Sequence, residues 1–292
     1  METPNTKHQT PEKHQISNSK PGRCGSVPLG ALGARLRLRE KLGLREGCPT
    51  SVWSLVFGVS LVFGVWCLVF ATCLAADPEP GFTALFNGKD LTGWDGNPRL
   101  WSVKEGAITG QTTAENPAPG NTFLIWTNGE VGDFELRCSF KLAPGDARGF
   151  ANSGIQYRSK VVNPTNWVVH GYQADMEAGP TYTGILYEEG MRGILAARGE
   201  KVVLNKDCKK EVTGSVGKPD EIAAAIKKGE WNDYVIIARR NHLRQFINGH
   251  QTIDVTDDCE AKRAMTGVLA LQLHAGPPMM VQFKDLRMKR LK

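Results

Sequence analysis

The sequence predicts an all-β fold, a sandwich of two antiparallel sheets with one short helix, over residues 77–292. Three observations predict it. About a dozen short segments alternate apolar and polar residues with the two-residue period of a strand. Turn signals separate them at short intervals, Asn87-Gly88, Gly179-Pro180 and Asn248-Gly249 among them. Only one stretch, 219–228, has a helix-forming composition. Many strands without alternating helices point to one packed sandwich rather than a parallel α/β fold.

The chain ahead of this body reads differently. The 292 residues carry a net charge of +6 at pH 7, and most of it sits in residues 1–76, which hold nine Lys/Arg against four Asp/Glu. The body is therefore close to neutral and lacks the basic face a nucleic-acid partner requires. Residues 1–51 are polar and then basic, with too little apolar content to fold alone, and are expected to be a disordered leader. Residues 52–76 contain no charged side chain and are long enough to span a bilayer. Basic residues precede this run, and Cys73-Leu74-Ala75 or Leu74-Ala75-Ala76 stands before Asp77-Pro78, the pattern of a cleaved signal peptide. The alternative is an uncleaved transmembrane anchor with its basic flank inside. In both cases the body is expected outside the cytoplasm, periplasmic or extracellular, and touches a membrane only through this segment.

Within the body, strands are expected at 82–86, at the hairpin 101–104 and 107–110, and at 123–126. The clearest alternation is 134–142, where Phe134, Leu136, Cys138 and Phe140 face inward and Glu135, Arg137, Ser139 and Lys141 outward. Strands follow at 153–159, 168–177 and 183–188. The helix at 219–228 opens on Pro219, Asp220 and Glu221, as a helix N-terminus favours. Residues 231–240, 243–247 and 251–255 form a three-strand meander whose second turn is Asn248-Gly249. Residues 267–276 alternate again. The last strand, 280–291, changes phase near Asp285, since Val281 and Phe283 share one face and Leu286 and Met288 the other parity; a bulge there would restore the pattern. Cys138, Cys208 and Cys259 lie far apart, without zinc-ligand spacing. One disulfide fits, with Cys208–Cys259 the pairing guessed, and a leftover thiol is expected to be buried and apolar.

The stretch with most chemical content is Val168 to Glu177. Tyr172, Ala174 and Met176 point one way, and Gln173, Asp175 and Glu177 the other. An amide and two carboxylates in a row suit either the floor of a polar-ligand cleft or a solvated outer sheet face. Gln156 and Arg158 share a face of their strand, and Gln272 and His274 share another.

Several stretches together resemble one family. They are Leu85-Phe86-Asn87-Gly88-Lys89-Asp90-Leu91-Thr92-Gly93-Trp94, Asn152-Ser153-Gly154-Ile155-Gln156-Tyr157-Arg158, Gly171-Tyr172-Gln173-Ala174-Asp175, Thr183-Gly184-Ile185-Leu186-Tyr187, Glu230-Trp231-Asn232, Ile247-Asn248-Gly249 and Leu271-Gln272-Leu273-His274-Ala275-Gly276-Pro277-Pro278. In that order they resemble the 3-keto-disaccharide hydrolase domain, formerly domain of unknown function 1080. The resemblance implies a concanavalin A-like jelly roll with a carbohydrate site on the concave face of one sheet. It also implies export by a polysaccharide-degrading bacterium.

Retaining glucanases of that fold carry Glu-x-Asp-x-Glu on one strand; here the matching residues are Gln173, Asp175 and Glu177. An amide cannot form a glycosyl ester, which puts double displacement in doubt. Residues two apart on a strand are separated by roughly 6.5–7 Å, near the lower edge of the inverting range. The keto sugar that the family implies offers a second route, in which a base removes the C2 proton, acidified by the C3 ketone, and the C1 substituent leaves by elimination before water adds. The expected catalytic residues are Asp175, Glu177 and His274, with Asp175 or Glu177 as base. Gln156, Arg158, Gln173, Gln272 and Glu188 are expected to bind substrate, and Arg158, Gln156, Gln173 or His274 to face the enolate oxygen. No cofactor or metal is required, although Ca²⁺ on carboxylate oxygens remains an alternative. The expectation is thus an exported glycosidase or lyase acting on a carbohydrate substrate. A non-catalytic carbohydrate-binding module of the same fold and a membrane-anchored adhesion domain are the competing readings.

Overall fold

A computed structural model describes residues 79–292; the leader and the apolar 52–76 segment, with the disorder and the signal or anchor expected of them, lie outside the described residues. The strands run in chain order as β1 (Thr83–Ala84), β2 (Trp94–Asp95), β3 (Trp101–Lys104), β4 (Ala107–Thr112), β5 (Thr122–Trp126) and β6 (Phe134–Pro144). Next come β7 (Asn152–Asn163), β8 (Val168–Glu177), β9 (Leu186–Glu189), β10 (Gly193–Ala196), β11 (Glu200–Leu204) and β12 (Lys210–Ser215). After helix α1 (Pro219–Ala224) follow β13 (Asn232–Arg239), β14 (His242–Ile247), β15 (His250–Asp257), β16 (Val268–Leu273) and β17 (Met279–Arg290).

They form two sheets. One has the order β12-β11-β15-β14-β13-β6-β17-β4-β3, with β1 on β17; the other has the order β10-β9-β8-β7-β16-β5-β2. The expected sandwich is present, with one departure from purely antiparallel pairing: β11 runs parallel to β15. Between the layers lie Leu136 and Phe140 from the larger sheet and Ile155, Tyr172, Ala174, Met176 and Leu271 from the smaller, all buried. Tyr157 stacks on Tyr172 at 5.7 Å between ring centroids and meets Phe134 edge-on at 5.9 Å.

The local expectations fare according to how much of their signal is apolar. β8 spans the expected residues, and the meander is β13–β14–β15. Its Asn248-Gly249 turn has positive φ at both residues, 49° and 82°, the conformation that matches strand twist in a two-residue hairpin. The phase change in β17 is a bulge, with Asp285 at φ 55° and the register with β6 shifting between Lys284 and Arg287. The helix is shorter than expected and ends at Ala224, ahead of the two lysines and Gly229. Three strands between 193 and 215 escaped the sequence reading. β12 is exposed along its whole length, so it has no apolar face to alternate. Cys208 and Cys259 are bonded, and Cys138 is a buried free thiol.

Candidate active site

The site lies on the face of the seven-stranded sheet that points away from the core. Pairing fixes its layout: Gln173 stands opposite Gln156 on one side and Tyr187 on the other, and Asp175 stands opposite Gly154. These residues, with Gln272 beyond Gly154, open on a cavity of about 260 Å³ lined by Asn121, Asn152, Gln173, Asp175, Tyr182, Ile185, Tyr187, Glu189, Ile194, Gln272 and His274.

The buried amides are satisfied by one another. Ser159 Oγ donates to Gln156 Oε1 at 2.6 Å, Gln156 Nε2 to Gln173 Oε1 at 2.7 Å, and Gln173 Nε2 to Asp175 Oδ1 at 2.8 Å. A second branch ends on Glu189, which accepts from Gln272 Nε2 at 3.2 Å and Asn121 Nδ2 at 3.1 Å. Each amide in these chains passes its donor end toward a carboxylate, so the row of polar groups costs little to bury. Gly154 makes room for it. A Cβ there would stand 2.5 Å from Gln173 Cδ and 2.8 Å from its Nε2, so only a residue without a side chain lets Gln173 lie across β7.

Asp175 is almost fully buried. Burial pushes its pKa well above the ordinary carboxylate range, and the charges of Glu177 and Glu189 push the same way, while the hydrogen bonds from Gln173 and the Met176 backbone oppose them. The Tyr187 hydroxyl is also held above its usual value, first by burial and then by Glu189 and Asp175. His274 sits beyond the end of β16. Its Nδ1 bonds the Ala275 carbonyl and its ring meets Phe150 edge-on at 5.3 Å, which leaves Nε2 for exchange with a ligand.

Of the expected residues, the pocket gathers Asp175, His274, Gln173 and Gln272, with Gln156 directly behind Gln173. Three lie elsewhere. Arg158 should share the face of Gln156, but a bulge with φ 49° at Arg158 shifts the β7 register and turns it away. It is buried across one end of the sandwich, donating to the Gly132 and Arg240 carbonyls at 2.8 and 2.6 Å and pairing with Asp133 at 2.9 Å. Gly267 packs against this bulge, and a Cβ there would meet Ser159 N at 2.7 Å. Glu188 is opposite Tyr172, on the core side, where it pairs with Arg192. Glu189, one residue on, takes the pocket position. Glu177 shares the face of Asp175, but its carboxylate turns out of the cavity to accept the backbone N–H groups of Thr181 and Tyr182. Asn121, Asn152, Tyr182, Ile185, Tyr187, Glu189 and Ile194 were missed as pocket residues. For Tyr187 and Glu189 the signal was available, since pairing β9 to β8 by parity puts them beside Gln173 and Gly171. Asn121 and Tyr182 sit on loops and carry no such signal. Among the described residues no group of three or more His, Cys, Asp or Glu is placed to hold a metal ion.

Comparison with known proteins adds a family. The model of the 3-keto-alpha-glucoside-1,2-lyase-like domain matches residues 81–289. The chain belongs to this family. The match contains every strand of this lyase-like domain except the final residue of β17, and all the pocket residues. Among solved structures, the domain is similar to a candidate glycosyl hydrolase from Parabacteroides distasonis ATCC 8503, at 19% identity over 72% of this chain and 99% of that one, with a TM-score of 0.47. It is also similar to the carbohydrate-binding module CBM66 from Bacillus subtilis, at 13% identity over 68% and 95% of the two chains and a TM-score of 0.45. A third is a mutant of the alginate lyase Aly36B in complex with alginate trisaccharide, at 10% identity over 69% and 89% and a TM-score of 0.39. No curated protein matches the chain.

Proposed function

We propose that this protein is an exported carbohydrate-active enzyme that cleaves the glycosidic bond of 3-keto-glycosides, including 3-keto-disaccharides, by elimination followed by hydration. One observation carries the reading: a buried carboxyl, Asp175, whose proton affinity is raised, faces a cavity walled by amides and a second acid. A base poised nearer to neutral pH is what removal of a carbon-bound proton beside a ketone needs. Family membership supports the reaction class, and the basic and apolar leader supports export.

In this reading the Asp175 carboxylate takes the C2 proton, and the C2–H electrons form the enolate with its charge on O3. Tyr187, the Asn152 amide and the second N–H of the Asn121 amide, whose first is given to Glu189, face that oxygen. The enolate then collapses to restore the C3 carbonyl, a C1=C2 bond forms, and the C1–O bond breaks. A protonated His274 gives its Nε2 proton to the departing oxygen. Water adding across C1=C2 completes the conversion to the free 3-keto sugar. Glu189, held on both oxygens by amides, supplies negative charge that keeps Asp175 basic.

The test is incubation of the protein with methyl 3-keto-α-glucoside. Methanol release with transient conjugated-enone absorbance is expected, both abolished by Asp175→Asn with the fold retained. Undiminished turnover by Asp175→Asn, or no consumption of the keto-glucoside, sinks the proposal.

A further inference from the structure

The cavity has two unlike walls. Asn121, Asn152, Gln173, Asp175, Glu189, Gln272 and His274 supply the polar one, while Tyr182, Ile185, Tyr187 and Ile194 supply the other from a single stretch of chain, 182–194. On this second wall, Tyr182 and Ile194 are 42% and 47% exposed, two of the few large apolar side chains that the domain leaves open to solvent. A scattered exposed residue needs no explanation, but two on the rim of one cavity do.

Tyr182 is also held in place. The Glu177 carboxylate accepts the N–H groups of Thr181 and Tyr182. Arg198 donates to the Thr183 and Pro180 carbonyls at 2.8 Å each and to Thr181 at 3.3 Å. Two side chains thus fix five backbone groups of a turn whose tip is an exposed aromatic ring. Fixing a loop while leaving its largest apolar side chain in water is the arrangement of a pre-formed contact surface.

We propose that Tyr182 and Ile194 form the subsite for the leaving group of the glycoside, and that it selects an aromatic aglycone over a small alkyl one. The inference rests on the reading of the pocket as a site that cleaves 3-keto-glycosides. The polar wall receives the hydroxyl and keto groups of the sugar, and the aglycone lies along the apolar rim, with its flat face on Tyr182. Glu177, turned away from the reacting atoms, is then a positioning residue for that ring.

Affinity separates this from leaving-group reactivity. Full-length protein carrying Asp175→Asn is titrated calorimetrically with methyl and phenyl 3-keto-α-glucosides, which it does not turn over. Phenyl is expected to bind about tenfold more tightly than methyl. Adding Tyr182→Ala or Glu177→Ala should bring the two within about twofold with the methyl Kd unchanged, and Tyr182→Phe should keep the preference. Equal affinities in the parent, or a preference that survives Tyr182→Ala, overturns the inference and leaves the functional reading standing on turnover by the unsubstituted protein. Binding of neither glucoside overturns the inference, and absence of turnover by the unsubstituted protein then removes the functional reading separately.

Discussion

Gly154→Ala tests whether the amide chain sets the chemistry of Asp175. The added methyl would stand 2.5 Å from Gln173 Cδ and 2.8 Å from Gln173 Nε2, so Gln173 must leave its rotamer. That breaks the 2.8 Å hydrogen bond from Nε2 to Asp175 Oδ1. A bond to an ionised carboxylate is worth about 1.5–3 kcal/mol, equivalent to about 1–2 pH units. The sign follows from the contact: Gln173 lowers the proton affinity of Asp175 against the raising effect of burial, so losing it raises that affinity further. The acid limb of the kcat/KM profile should therefore move to higher pH by about 1–2 units. Activity below the wild-type limb should fall about 10–100-fold, and the high-pH plateau much less. Overpacking should also cost about 1–3 kcal/mol of stability, which thermal melts will read. The assays are the pH dependence of kcat/KM on a 3-keto-glucoside and, independent of turnover, a carbon-13 carboxyl titration of Asp175. A lowered Tm with an unmoved limb and an unmoved titration would refute the role given to Gln173.

The remaining predictions concern stability and reactivity. Because burial raises the folded-state pKa of Asp175, the protonated carboxyl favours the fold. That contribution is complete below the unfolded value of about 3.9 and is lost as pH rises through the folded value. Asp175→Asn should therefore melt higher than the wild type by a margin that grows with pH above about 4, and a margin independent of pH would contradict this. The Cys208–Cys259 bond spans 51 residues, for which chain entropy gives about 4 kcal/mol. Reduction should lower Tm by about 8–16 °C in a domain of this size, and an unchanged melt would count against it. Arg192 pairs with Asp257 at 2.7 Å and with Glu188, while Tyr172 donates to Asp257 at 2.6 Å. Arg192→Met strands two buried carboxylates and should cost about 3–5 kcal/mol by denaturant unfolding. The Cys138 thiol, pushed up to about 12 by burial, should resist alkylation at pH 8 until denaturant is added.

What the sequence disclosed follows from what alternation encodes. Parity along β8 placed Gln173 and Asp175 opposite the core side, and the structure has them there, because an unbroken strand keeps its two-residue period. Parity failed where the backbone breaks that period. Arg158, at positive φ, leaves the face its neighbour Gln156 occupies, and no feature of its side chain announces the bulge. Glu188 and Glu189 differ by a single position; only the pairing of Tyr187 with Gln173 decides that Glu189 meets the cavity. Glu177 has the right parity and the wrong destination, since two unpaired N–H groups in the following turn claim its carboxylate. Strand β12 was illegible for a different reason: an edge strand in water need not alternate at all.

These misplacements bear on the reaction class. With Glu177 committed to a turn and Gln173 an amide, β8 presents one carboxylate to the cavity where the retaining glucanases that suggested the comparison present several. Gln173 has no nucleophilic oxygen; it donates to Asp175 and accepts from Gln156, and both of its polar ends are occupied. The second acid, Glu189, comes from β9 and has an amide donor on each oxygen, so neither oxygen is free to attack a carbon. One basic carboxylate, tuned by charges that do not themselves react, is sufficient for proton removal at C2. Displacement at C1 requires a second free carboxylate to act as nucleophile or to activate water. The proposed elimination therefore asks of the carboxylates only what their places in this pocket allow. Glu189→Gln provides the check: if Glu189 only tunes Asp175, the variant keeps its plateau activity and shifts its acid limb to lower pH, whereas a reacting Glu189 would take the plateau down with it.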